Sequence, residues 1–296
     1  MAMYLHRIGA TSAPSRHTWS PAQCALYALS VGATPNDTSF AIDRPGGLGQ
    51  DVYPSFVFAG VLAAASASWP DPGFSSGDYD IHQIVLGEQG VELHTSVPAV
   101  GDVTAQTRLA AIHDKGSGAL VTLETRATDN TTHQPMFTAT TTLFISGEGG
   151  FGGDRGPAGA APIPPDRPPD RVDVASTSPV QTLLYRYAGN DRNPIHADPE
   201  VAWKAGYREP ILMGQNVLGF ACRALVAELA GGRPNRLRSV SGRFAKAGYN
   251  RDTLVTECWV GDDVGVDSAG NAVVAFRVRT PVGDVLVDRG RATIAP

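Results

Sequence analysis

The chain has 296 residues, 42% hydrophobic and 18% charged, with a formal net charge of −5. That length supports one large or two modest domains and a core that needs no covalent staples. No basic block is present, which argues against nucleic acid as a partner, and three widely spaced cysteines (Cys24, Cys222, Cys258) fit neither a zinc pattern nor a disulfide framework.

The start, "MAMYLHRIGATSAPS", lacks the charged-apolar-cleavage order of a signal peptide. The apolar run "FVFAGVLAAASASW" is too short and too rich in small residues to span a bilayer. The terminal "RATIAP" is no peroxisomal or retention address. Together these set the expectation of a cytoplasmic protein with no membrane partner and with buried free thiols.

In chain order, "SFVFAGVLAAASASW" (55–69) is the first apolar helix expected. Strand-like segments follow at 82–97, 102–115, 119–129 and 134–146, supported by alternation and β-branched residues, with the turn "DKGSG" (114–118) between two of them. Residues 147–170, "GEGGFGGDRGPAGAAPIPPDRPPD", are dominated by Gly and Pro and exclude helix and central strand. They read as a semi-extended connector. The second half repeats the order: an apolar helix over 214–232, with Gly231-Gly232 as its stop, then strands at 236–249, 252–261, 272–280 and 284–294.

A helix that is apolar all round needs a sheet to wrap it. One helix and four strands, repeated, is met most economically by an α+β double hotdog, two antiparallel sheets each curled around a long central helix. The implied units are 1–146, the connector 147–170, and 171–296.

The chemistry concentrates in "YRYAGNDRNPIHADPEVAWKAGYREPILMGQNVLG" (185–219). Asp191 and His196 bracket "DRNPIH", where Asn193-Pro194 makes a tight turn able to aim both side chains at one point. "DPEVAWKAG" reads as a short helix capped by Asp198 with Pro199 first. Gly214 opens the apolar helix, whose first N–H groups are unpaired and carry partial positive charge. An acid, an imidazole and such a donor suit addition of water beside a carbonyl. Taken singly, an Asp or a His in a turn is usually structural.

These residues resemble the MaoC-like type 2 (R-specific) enoyl-CoA hydratases. The resemblance rests on "YRYAGNDRNPIHADP" and "EPILMGQNVLG", and in the first half on "LYALSVGA", "YPSFVFAGVL", "HDKGSGALV" and "GEGGFGGDRGP". It implies reversible syn hydration of a trans-2-enoyl-CoA to a (3R)-3-hydroxyacyl-CoA. Asp191 and His196 match the catalytic pair that activates water, and Gly214 matches the glycine whose N–H polarises the thioester carbonyl. Asn193 matches the motif asparagine and Tyr27 a tyrosine of functional interest. Asp43 falls where relatives usually carry Glu. Tyr185, Arg186 and Asp170 match scaffold positions.

The resemblance also implies a non-catalytic first half that accommodates acyl chain and CoA. It implies no metal and no cofactor (CoA being part of the substrate), an acyl-CoA partner and a homodimer. Three departures stand out: Met213 where relatives read His before the helix glycine, Asn190 as an extra residue before Asp191, and "FAKAGYNRDT" (244–253) in place of an apolar-Pro-Gly-acid turn.

Other motifs carry less. "GGFGG" (149–153) lacks the strand-to-helix context of a phosphate loop, although a place near CoA stays open. His82, His94, His113 and His133 show no metal-ligand spacing. Two rival readings remain: a dehydratase or hydratase specialised for a bulky or carrier-linked acyl thioester, and a non-catalytic thioester binder.

Overall fold

A helix buried on every side fixes the plan of the molecule. In the computed structural model, which describes residues 3–62, 74–80, 83–156 and 164–296, the helix Gly214–Glu228 is buried without a break from Asn216 to Val226. It lies in the hollow of a single ten-stranded antiparallel sheet.

In chain order the strands are β1 (Ser15–Trp19), β2 (Ile84–Leu93), β3 (Gly101–Asp114), β4 (Gly118–Asp129), β5 (Pro135–Ser146), β6 (Arg171–Ser176), β7 (Leu237–Phe244), β8 (Thr253–Trp259), β9 (Ala272–Arg279) and β10 (Val285–Ile294). The helices are α1 (Pro21–Ser30), α2 (Thr38–Ala41), α3 (Gln181–Ala188), α4 (Pro199–Lys204) and α5 (Gly214–Glu228). The sheet order is β1-β3-β4-β5-β2-β7-β10-β9-β8-β6. Read outward from the β2·β7 junction, both halves have the same order, with β1 matching β6 and β2 matching β7.

This is a double hotdog. The two expected sheets are one, because β2 and β7 each have a free edge and pair antiparallel from Glu88↔Arg243 to Glu92↔Ser239. Pairing them removes two unsatisfied edges from solvent.

Each half also opens with a strand and a helix that composition did not reveal: β1 with α1, and β6 with α3. Both strands are sheet edges with much of their surface exposed, so their sequences, "SRHTW" and "RVDVAS", show little of an apolar face. The apolar helix of the first half is described only as far as Leu62, where Phe58–Leu62 is wound as a π-helix. The rest of that expected helix (63–69) and His82 lie outside the described residues. Helix α5 stops at Glu228, ahead of the expected end at 232. Gly231 and Gly232 follow in left-handed conformations, and Gly232 N–H closes the end on Val226 O at 2.9 Å.

The described parts of the connector carry no regular structure, yet they are pinned rather than loose. The Asp114 carboxylate, at the end of β3, accepts the N–H groups of Gly116, Gly150 and Gly152, each at 2.8 Å. These bonds hold its pKa below the usual carboxylate value. Two N–H groups of the glycine run, those of Gly150 and Gly152, are therefore already paired within the protein. Farther on, Arg167 bridges Asp170 and Asp263, both at 2.8 Å.

The halves meet through buried polar groups as well as strands. Ser30 O at the end of α1 accepts from Gln181 Nε2 (2.6 Å) and Asn216 Nδ2 (2.8 Å). Helix α1 crosses α5 closely at Gly219, where a Cβ would lie 2.5 Å from Val31 and 2.9 Å from the Tyr27 hydroxyl. Cys24, Cys222 and Cys258 are buried free thiols. Burial pushes them up to about 12, about 11 and about 12.

Among the described residues no helix is long and apolar enough to cross a membrane. Nor does any group of three or more His, Cys, Asp or Glu have the arrangement of a metal site.

Candidate active site

The segment between α3 and α4 is built from two successive side-chain turns. Asp191 Oδ1 accepts Asn193 N–H at 2.9 Å, and Asn193 Oδ1 accepts Ile195 N–H at 3.1 Å. Such Asx turns replace backbone pairing where Pro194 offers no donor. Pro194–His196 then forms one 3-10 turn. Asp198 caps α4 by accepting from Glu200 N–H at 2.9 Å, as its sequence implies. From α3, Arg186 Nη1 donates to the carbonyls of Asp191 and Asn193, both at 3.4 Å, bracing the loop from behind.

Asn190, expected to be additional to the family pattern, lies in a left-handed conformation, φ 51°, which asparagine tolerates better than most residues. It therefore does not disturb the spacing from Asp191 to His196.

The result is an acid and an imidazole facing one another, His196 Nε2 lying 3.8 Å from Asp191 Oδ2. Asp191 spends Oδ1 on its own turn and leaves Oδ2 toward His196. His196 is tied on its other side: Nδ1 lies 2.8 Å from Ile211 O. A carbonyl only accepts, so Nδ1 carries the hydrogen, and in the neutral ring Nε2 presents its lone pair to the space beside Asp191. Burial lowers the imidazole pKa below 6.5, with Arg186 adding to that, while Asp191 and the bond to Ile211 oppose it. The neutral, proton-accepting ring is the favoured form near pH 7.

Ile211 also brings the pair toward the helix start. Only Leu212 and Met213 separate it from Gly214, three residue steps and at most about 10 Å of extended chain. Ile211 pairs with Tyr249 in a β-bridge, and Leu212 N–H donates to Gly248 O at 2.8 Å. The departing stretch 244–253 is thus the clamp of the site. It also holds α3, through Thr182 N–H donating to Asn250 Oδ1 at 2.9 Å, and the Arg208 guanidinium lies 4.0 Å above the Tyr249 ring.

Gly214 is the first residue of α5, with no side-chain cap from Met213. A Cβ on Gly214 would stand 2.8 Å from the ring of Phe244. Met213 is 1% exposed and belongs to the main core. It fills space where a polar side chain would need a buried partner.

Two other expected residues do not join the pair. Tyr27 is buried in α1, and its ring packs on Phe56 (centroids 5.5 Å) and Tyr185 (6.1 Å). Burial raises its phenol well above the usual value. Tyr185 is buried too and feels the Asp191 charge as a further upward push. Asp43 is exposed, just after α2.

Sequence reasoning missed Ile211 and Phe244, and the 2.7 Å bond that Gln215, next to Gly214, donates from Nε2 to Gln89 Oε1. Ile211 acts through its backbone and leaves no signal in side-chain chemistry. Gln89 does leave one, as a polar residue sharing the inward face of β2 with Val91 and Leu93.

A buried helix wrapped by a ten-stranded double hotdog, with an acid–imidazole pair beside the helix start, defines a hotdog protein equipped for proton transfer. Comparison with known proteins gives the family. The MFE-2 hydratase 2 N-terminal domain matches residues 17–147 and the MaoC like domain residues 160–280. The 3-hydroxyacyl-thioester dehydratase Y of Mycobacterium tuberculosis is 39% identical over 263 residues, 88% of each chain. The peroxisomal enoyl-CoA hydratase 2 of Arabidopsis thaliana is 33% identical, with 83% of each chain covered. The crystal structure of a MaoC-like dehydratase from Phytophthora capsici superposes with a TM-score of 0.85 at 27% identity, covering 99% of this chain and 98% of that one. This chain belongs to the MaoC-like type 2 enoyl-CoA hydratase family and is a hydro-lyase.

Proposed function

We propose that the protein catalyses the reversible syn hydration of a trans-2-enoyl-CoA to a (3R)-3-hydroxyacyl-CoA. The observation that carries the reading is the His196–Asp191 pair, with Nδ1 of His196 committed to Ile211 O and Nε2 left as the base.

A water held between Nε2 and Asp191 Oδ2 adds its oxygen to C3 while its proton passes to Nε2. The electron pair of the C2–C3 double bond moves into the thioester carbonyl, whose oxygen accepts the Gly214 N–H at the positive end of α5. The imidazolium then returns a proton to C2 on the same face, restoring the neutral ring. One H and one OH have been added, and no group beyond the substrate is required. The reverse sequence is the dehydration.

Asn193 holds the turn. Residues 171–296 carry the chemistry, and 1–146 accommodate the acyl group and CoA across the connector 147–170. A homodimer is the assembly this reading carries, and sedimentation at micromolar concentration checks it. Mixing purified protein with enoyl-CoA thioesters of several chain lengths and branching patterns, and following loss of the conjugated-enone absorbance, tests the reaction. Turnover of at least one substrate is expected; none with any of them overturns the reading.

A further inference from the structure

Gln89 is 2% exposed, on the inner face of β2 in the first half. A buried amide is costly unless both its ends are bonded, and here both are. Oε1 accepts from Gln215 Nε2 at 2.7 Å, and Nε2 donates to Thr141 Oγ1 on β5 at 3.0 Å. Gln215 is the residue directly after Gly214.

The strand register completes the arrangement. Gln89 pairs with Gly242 of β7, and β7 ends in Phe244, the ring packed against Gly214. The first turn of α5 therefore sits over the β2·β7 junction. Phe244 of the second half packs against it at Gly214, and Gln89 of the first half bonds it at Gln215.

We infer that Gln89 is a positioning residue for the reaction carried out by the second half. Through Gln215 it sets the direction of the Gly214 N–H. The inference rests on the proposed role of that N–H in polarising the thioester carbonyl. Donors of this kind act only when aimed at the oxygen that gains charge, and a small misplacement costs rate rather than substrate binding. The first half then does more than make room for substrate, because it holds one side of the oxyanion site.

Replacing both partners of a buried hydrogen bond by apolar groups of similar size leaves neither of them orphaned and costs little stability. Gln89→Leu, Gln215→Leu and the double variant therefore separate positioning from packing. The kcat, KM and melting temperature of each are measured in the full chain on a short unbranched enoyl-CoA. Each single variant is expected to lower kcat about 10-fold with KM within about 3-fold. The double variant is expected to lose about the same 10-fold rather than about 100-fold, and to melt within a few degrees of the wild type.

Undiminished kcat in either single variant, losses that multiply, or losses that track melting temperature each overturn the inference. If the wild type is active and Asp191→Asn is not, such a result removes the role of Gln89 and leaves the proposed reaction standing. If no enoyl-CoA is turned over by the wild type, both fall.

Discussion

His196 Nε2 and Asp191 Oδ2 stand 3.8 Å apart, too far for a direct hydrogen bond and close enough for one water to reach both at about 2.8 Å. Each group has a single free acceptor, because Asp191 Oδ1 holds Asn193 N–H and His196 Nδ1 holds Ile211 O. Asp191→Asn and His196→Gln are each expected to lower kcat by at least about 100-fold. Neither should alter the melting temperature by more than a few degrees, since the loop is also held by Asn193 and Arg186. Enoyl-CoA turnover and thermal melts check this; full rate in either variant refutes the assigned roles.

That pair was legible because Asp, Asn, Pro and His at short spacing make a local turn, and local turns follow from local chemistry. Helix α5, the start of the first-half apolar helix as far as Leu62, and the eight long strands were legible from period and composition. The edge strands β1 and β6 were not, since a strand exposed on one face and paired on one edge has no need of an apolar pattern. The β2·β7 junction was not legible either, because strand order between halves is a long-range property. Tyr27 and Asp43 were singled out by resemblance alone. The fold buries the first against Phe56 and Tyr185 and leaves the second in solvent.

The pH dependence follows from His196. Its folded-state pKa lies below 6.5, chiefly through burial, so hydration should fall on the acid side with a midpoint below 6.5. Stability shifts in the same direction. Between 6.5 and the lower folded-state value the unfolded chain binds the proton and the folded chain does not, so this histidine's contribution is lost as pH falls through that window. An NMR titration of the His196 ring beside a pH–rate profile measures both, and a midpoint at or above 6.5 in the titration would contradict the burial argument.

Met213 gives a prediction about stability rather than rate. It is 1% exposed at the N-cap of α5 and makes no cap bond there, so its contribution is packing. Met213→Ala should destabilise by about 2–5 kcal/mol, while the volume-conserving Met213→Leu should cost less than about 1.5 kcal/mol. Denaturant melts of both variants decide it; equal stability of Met213→Ala and wild type would mean that the site collapses around the missing side chain.

Gly214 links packing to chemistry. A Cβ added there would lie 2.8 Å from both Cδ1 and Cε1 of Phe244, closer than carbon atoms approach, so either the ring or the helix start must move. If the helix start moves, the N–H leaves its aim, and Gly214→Ala should lower kcat by about 10-fold or more. The ring is the softer partner, being one side chain at the end of β7. Phe244→Leu in the Gly214→Ala background removes the atoms in conflict, and kcat should then recover in part. Recovery assigns the loss to the displaced helix start. A double variant as slow as Gly214→Ala would place the fault in the alanine itself, a methyl group standing where the thioester has to lie.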